Sequence, residues 1–321
     1  MRKIKNYIIV LLIIVIGTII LNIELPFYIE APGGLTKLDD RYKIINEYNS
    51  KGSINLTYVS EYKANIPMYI YSLINKDYDI VKKEDEIPVN STYKEEKLRG
   101  RLMYEDSINN AIIASYREAN KKINIIKRIP TVVYITEDSK SNLKVGDQII
   151  KINNKIINSK NDINEYLDNN KDSNIEIEVL NNNKKYIRHC TLVENKIGVL
   201  IIEDKTIKEI PNIKITTKND EYGPSGGLMI SLEIYNKLTE YDLTKGLKIS
   251  GTGTIDEYGN VGSIDGVKYK LKGAVKNKAD IFIVPYENYK ETIKLKNKYH
   301  YNIKILKVKS LSEAIKKIKE I

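Results

Sequence analysis

Gly223-Pro224-Ser225-Gly226-Gly227 sets a serine between glycines at the start of an apolar run with helical spacing. Downstream, Asp265-Gly266-Val267-Lys268-Tyr269-Lys270 sets lysines at the start of another. A serine hydroxyl is a weak nucleophile and needs a neighbouring base. The chain has only 2 histidines, His189 and His300, neither in a motif-like setting. Lysine replaces histidine where the site is dry enough to keep its amine neutral, and serine–lysine pairs work this way on unrelated folds. A free lysine, with a pKa of about 10.4, is protonated at neutral pH, and burial lowers that value by several units. Lys270 lies three residues after Val267 and one before Leu271, at the rim of an apolar helix face, whereas Lys268 and Lys272 are better placed for solvent. The chemistry this predicts is that of a serine–lysine hydrolase. Lys270 takes the Ser225 proton and returns it to the leaving group. Backbone N–H groups at the helix start, around Ser225 and Gly226, receive the oxyanion.

The elements that must position these groups alternate over residues 197–321. Lys214-Ile215-Thr216-Thr217 reads as a short strand before the serine loop, and Leu228, Met229, Leu232, Tyr235 and Leu238 recur at helical spacing. Leu247–Ser250, Ile281–Val284 and Ile303–Val308 read as strands, and Val267, Leu271, Ala274 and Val275 as one helix face. Ser310 and Glu313 fit a capping box on a last helix lined by Leu311, Ala314, Ile315 and Ile318. The fold class expected is α+β.

Residues 131–193 read as a β-rich module. Thr131–Thr136 is β-branched and aromatic; Asn142–Lys155 contains a turn glycine, alternating apolar residues and an Asn-Asn turn. Ser159–Asn169 suits a short helix, and Ile175–Leu180 with Lys185–Val193 a closing pair of strands. The run Leu143-Lys144-Val145-Gly146-Asp147, followed by Ile149, Ile152 and Asn153, resembles the PDZ domain. That resemblance implies an extended peptide added beside Val132, Val133, Tyr134 and Ile135, opposite a helix at Asp162–Leu167. Lys127-Arg128-Ile129-Pro130 shows no glycine-rich carboxylate loop, so an internal segment suits this groove as well as a free C-terminus.

Residues 198–310 resemble the proteolytic domain of Lon-type serine–lysine peptidases. The resemblance is carried by Gly223–Gly227, by Ser250-Gly251-Thr252-Gly253-Thr254-Ile255 and by Gly259-Asn260-Val261-Gly262-Ser263-Ile264 running on to Lys270. It implies Ser225 as nucleophile, Lys270 as base and Thr252 as the residue whose hydroxyl helps hold the lysine. The chain departs from the family pattern at Tyr222, where an acid is frequent, and at Asp265-Gly266, where two glycines are common. Ser107–Tyr116 and Gly52–Val59 also look like an early helix and strand of that domain, which would make the PDZ-like module an insertion.

Arg2, Lys3 and Lys5 precede an uncharged apolar run, Tyr7–Ile23, long enough at about 1.5 Å per residue to cross a hydrocarbon core. Asn22–Pro26 offers no small-x-small cleavage site, so an uncleaved signal anchor is expected, with the body after Glu24 outside the cell membrane. The expected organisation is a cytoplasmic tail 1–6, an anchor 7–23, a region 24–123 that begins the Lon-like domain, a PDZ module 124–195 and the rest of the peptidase 196–321. Together these resemble membrane-anchored, PDZ-containing Lon-like peptidases of bacteria.

A single cysteine rules out an intrachain disulfide framework. The net charge of +10 comes from lysines scattered among acids, with no basic stripe, so nucleic acid is not an expected partner. No phosphate-loop motif occurs, and neither a nucleotide, a cofactor nor a metal is expected. The expected partners are a peptide or protein substrate and the membrane; a homo-oligomer is left open. Two readings compete. One is a surface-anchored PDZ scaffold with an inactive peptidase domain. The other is an α/β-hydrolase in which Gly223-x-Ser225-x-Gly227 is a nucleophile elbow and His300 the base.

Overall fold

The computed structural model describes residues 2–86, 91–170 and 172–321, so Met1 of the expected tail lies outside the described residues. Helix α1, Arg2–Asn22, carries the apolar run, which is exposed along its length. Strands β1 (Glu24–Lys37), β2 (Tyr42–Ile44) and β3 (Ser53–Asn65) follow, then α2 (Ile66–Ile74), β4 (Asp79–Lys82) and α3 (Lys83–Glu86). Helix α4, Tyr93–Glu118, starts where Thr92 and Glu95 cap each other reciprocally. The middle of the chain gives β5 (Lys122–Ile135), β6 (Lys140–Ser141), β7 (Gln148–Ile152), β8 (Lys155–Ile156), α5 (Lys160–Asn169), β9 (Asn174–Asn181), β10 (Lys184–Thr191) and β11 (Val199–Ile210). The last part gives β12 (Ile213–Ile215), α6 (Gly227–Leu238), β13 (Lys248–Gly251), β14 (Thr254–Ile255), β15 (Val261–Gly262), α7 (Val267–Lys276), β16 (Ile281–Pro285), α8 (Tyr289–Lys298), β17 (Lys304–Val308) and α9 (Leu311–Lys319).

The sheet that positions the site runs β17-β16-β13-β3-β1-β4. Its first four strands are parallel and its last two antiparallel to their neighbours, so the class is mixed. Alternation along the wholly buried β16 divides the core. Ile281 and Ile283 face the helices α4, α6 and α9, while Phe282 and Val284 face α7 and α8. Because β3 supplies the strand beside β13 and α4 packs on α6, residues N-terminal to the β-rich module share one core with residues C-terminal to it.

The module itself is a sheet in the order β11-β5-β7-β9-β10-β6 with α5 against it, and it has its own core around Val132, Ile149, Ile177 and Val179. The expected hairpin, helix and closing strands all form. The unforeseen part is the length of β5 and β11, which pair from Val199↔Ile135 to Ile210↔Lys122 and run as a ribbon out of the module. Arg128 on that ribbon bridges Glu203 at 2.5 Å and Glu257 at 2.7 Å, tying it to the loop after β14.

Candidate active site

Ser225 just precedes α6 and Lys270 lies in α7, helices packed on opposite faces of the sheet, and Ser225 stands at the carboxyl end of the parallel strand β13, where open α/β sheets carry their sites. Ser225 lies one residue before the α6 N-cap, Gly226, which makes no side-chain capping bond; the serine is therefore not the helix cap. Its carbonyl is held twice from the end of β13, by the Gly253 N–H at 2.8 Å and the Thr252 hydroxyl at 3.0 Å. The Leu228 N–H returns a bond to the Gly253 carbonyl at 3.0 Å. Gly227 N–H is spent on Pro224, which leaves the N–H groups of Ser225 and Gly226 without a partner among the described residues. Two unspent amides beside a hydroxyl are what an oxyanion needs. Gly227 is required by close approach: a Cβ there would lie 2.5 Å from the Ser107 hydroxyl and 2.8 Å from Ile255. Ser107 in turn donates to the Pro224 carbonyl at 3.0 Å.

Lys270 is only 5% exposed. Burial lowers its ammonium to about 8, and the nearby Asp265 charge pulls weakly the other way. The amine donates to the Asp265 backbone carbonyl at 2.9 Å, not to a carboxylate. Its helix starts at Gly266, whose φ of 72° suits glycine and whose Cβ would meet Val59 of β3 at 2.7 Å. Gly226 sits against Leu56 of the same strand. Thus β3 links the serine loop to the start of the lysine helix. Lys268 and Lys272 turn outward to Asp79 and Asp77.

A cleft of about 680 Å³ opens at Ser225. Its walls are β3 from Leu56 to Tyr62, Tyr93, Lys97 and Tyr104 around α4, and the loop from Lys218 to Gly226. Past Leu56, β3 is paired with β1 alone, because β13 has ended. The loop is anchored by Glu221, which accepts from Arg41 through both terminal guanidinium nitrogens, from the Tyr104 hydroxyl at 2.8 Å and from the Lys218 N–H at 3.3 Å. Burial pushes the Glu221 carboxyl up, and Arg41 with Tyr104 more than reverses this, holding it below the usual range. Sequence reasoning misses Arg41 and Tyr104, because both lie far from the serine along the chain. The only trace of the clamp in the sequence is the acid at 221 beside Tyr222.

Other expectations are placed differently. The Thr252 hydroxyl donates to the Ser225 carbonyl, so it braces the nucleophile loop directly, not the lysine. The peptide edge expected at Val132, Val133, Tyr134 and Ile135 is not open. Val132 and Val133 are buried, and the strand is paired with β11 through Leu200↔Tyr134 and Ile201↔Val132. The strand ending that sheet is β11, with α5 beside it and the Lys160 N–H bonded to Glu203 at 2.8 Å. His300 is exposed, in the turn after α8; neither it nor Lys270 is among the residues lining the cleft. A loop at 216–226 separates β12 from α6, so the strand–turn–helix of a nucleophile elbow is not formed. His189 and Cys190 point to opposite faces of β10; burial pushes the thiol up to about 11. No group of three or more His, Cys, Asp or Glu among the described residues could hold a metal.

The structure thus holds a serine braced by backbone bonds with unspent amides beside it and, in α7, a buried amine of lowered basicity. The profile of the Lon protease (S16) C-terminal proteolytic domain matches residues 144–320. A 96-residue stretch is 28% identical to the Lon protease of Aster yellows witches'-broom phytoplasma (strain AYWB), covering 30% of this chain and 12% of that protein. The chain belongs to the Lon S16 proteolytic-domain family, and that domain is a serine peptidase domain.

Proposed function

We propose that this chain is a serine endopeptidase in which Ser225 attacks the scissile carbonyl and Lys270 is the general base and then the general acid. The observation that carries the proposal is Lys270: a lysine 5% exposed, bonded to a backbone carbonyl and lowered to about 8, in a helix that starts against the same strand, β3, on which the serine loop packs. At neutral pH a useful fraction of such an amine is neutral, and it can take a hydroxyl proton. Attack opens the carbonyl to an oxyanion at the Ser225 and Gly226 amides. Collapse expels the amine, which receives the proton from Lys270. Water, deprotonated by the same lysine, then releases the acyl group and restores the serine.

The substrate proposed is an extended polypeptide lying along β3 beyond Leu56 by strand addition, with its side chains among the tyrosines of the cleft. Nucleotide hydrolysis is not required in this account, because the sequence carries no phosphate loop. Helix α1, long and apolar enough to cross a membrane, is proposed as a single-pass anchor with the body outside. The β-rich module is proposed to tether substrate along the outer edge of β11 beside α5, raising its effective concentration at Ser225. The test is cleavage of an unstructured polypeptide by the purified full chain, with Ser225→Ala and Lys270→Ala alongside. Loss in both variants with unchanged circular dichroism supports the dyad; activity surviving in Ser225→Ala removes it.

A further inference from the structure

Helix α2 is inside out. Its sequence, Ile66-Pro67-Met68-Tyr69-Ile70-Tyr71-Ser72-Leu73-Ile74, buries its one serine, Ser72, whose Oγ donates back to the Tyr69 carbonyl at 2.8 Å. It turns Ile70, Tyr71, Leu73 and Ile74 outward at 56%, 49%, 64% and 78% exposure. A water-soluble surface helix shows the opposite pattern, and a contiguous apolar patch of this kind marks an interaction surface. The helix is held firmly in this attitude. Asn65 caps it through the Met68 N–H at 2.9 Å, Pro67 occupies its first turn, and the Tyr69 ring lies 5.1 Å from that of Phe27.

The position of α2 names its occupant. The Asn65 side-chain amide donates to the Leu21 carbonyl in the last turn of α1 at 3.1 Å, and α1 touches both α2 and β3. Only Ile23 separates α1 from β1. Wherever α1 leaves a hydrocarbon core, α2 starts at the same level. The Tyr69 and Phe27 rings pair near the start of α2, Tyr71 pairs with Tyr78 towards its end, and exposed Lys76 follows the cap residue Asn75; tyrosine favours a membrane–water boundary.

We propose that α2 is an interfacial helix whose Ile70, Leu73 and Ile74 enter the outer leaflet beside the exit of α1, seating the peptidase body against the bilayer. The proposal rests on reading α1 as an anchor, and it adds a second, lateral attachment that fixes how the body is oriented. Strand β3 runs from Leu56 at the serine loop to Asn65 at the α1 exit, so Tyr62 in the cleft wall stands roughly 10 Å from the bilayer surface at ~3.3 Å per residue. The cleft would then meet polypeptide close to where it emerges from the membrane.

The test uses the full chain in a Cys190→Ala background, with single cysteines at Ile70→Cys, Leu73→Cys and Ile74→Cys carrying an environment-sensitive fluorophore. Leu12→Cys serves as a deep control and Tyr258→Cys as an aqueous one. The protein is reconstituted into vesicles of phosphatidylcholine and phosphatidylglycerol with or without brominated acyl chains. The expected result is at least twofold quenching by brominated lipid at 70, 73 and 74, with none at 258. Quenching at 12 without quenching in α2 overturns the proposal and leaves the anchor standing. Quenching in α2 without quenching at 12 removes the anchor reading and with it the placement beside α1, which overturns the proposal as stated. Labels in α2 shielded from aqueous iodide yet unquenched by brominated lipid show that a second copy of the chain covers this face, which also overturns the proposal.

Discussion

Two lysines are buried to nearly the same degree in different parts of the domain, and their surroundings give them opposite chemistry. Lys237, at the end of α6, is 3% exposed and ringed by Asp39 and Glu47, each at 3.0 Å, and Glu233 at 3.7 Å. Burial alone would lower it, and the carboxylates more than reverse that, so it stays charged. Lys270, near the start of α7, is 5% exposed, has a backbone carbonyl as its hydrogen-bond acceptor and is lowered to about 8. Burial therefore does not make a base; burial without a bonded counter-charge does. One lysine locks the end of a helix, while the other is held ready to lose a proton.

The largest effect expected from this contrast is catalytic. Lys270→Met and Ser225→Ala each lower kcat/KM by on the order of 10⁴-fold, and the double variant is no worse, because the pair acts as a unit. A similar loss in a well-folded Lys237→Met would break the comparison. The next effect is on stability, and its sign differs between the two sites. Lys237→Met leaves three carboxylates facing one another and costs about 3 kcal/mol. Lys270→Met removes a poorly solvated ammonium and stabilises by on the order of 1–3 kcal/mol at pH 7. In the wild type, an unfolded Lys270 keeps its proton up to about 10.5 and the folded one only to about 8. The unfolded chain thus binds the extra proton between those values, and this group's contribution to stability rises with pH across that window. Denaturant titrations of the wild type and both variants at pH 7 and 9.5 read the two signs.

The nucleophile loop gives a smaller effect. Arg41→Gln releases Glu221 and is expected to lower kcat about tenfold to a hundredfold with little change in KM; Arg41→Lys restores part of it, since one donor can still reach the carboxylate. The smallest expected effect belongs to Glu233. Burial pushes its carboxyl up to about 7, partly offset by Lys237. Its folded pKa exceeds the unfolded value of 4.5, so the folded state binds more protons between 4.5 and about 7, and stability falls as pH rises through that range. Glu233→Gln should therefore stabilise by about 1 kcal/mol at pH 8 and be nearly neutral at pH 5, as thermal unfolding at both values would show.

Local patterns are the part of this molecule open to reading from sequence. The periodicity of Leu228 to Leu238, the buried run Ile281–Val284 and the Ser310 cap all appear where spacing places them, although Glu313 accepts from Lys309 and not from Ser310 itself. The proposal of Ser225 and Lys270 could be drawn from sequence because their settings are short and local. Pairing order is not legible in this way. β-Propensity identifies Thr131–Ile135 as a strand but carries no information on which neighbour fills its edge, and β11 does so from about 65 residues away. The Arg41–Glu221–Tyr104 clamp is hidden for the same reason, since its partners meet only after three separate elements have packed. Helix α2 is hidden too, because an apolar stretch of that length looks like core until its outward face is seen.

The most direct measurement is the pH dependence of Ser225 acylation by a peptidyl β-lactone, followed by intact mass and peptide mapping of the full chain. The account predicts a single acyl adduct on Ser225. Its rate should rise with pH along a titration centred near 8 and level off above it, and should fall by on the order of 10⁴-fold in Lys270→Met while Lys237→Met keeps the profile. An adduct on another residue, a rate that ignores pH between 6 and 10, or full acylation in Lys270→Met would contradict the assignment of Lys270 as the base.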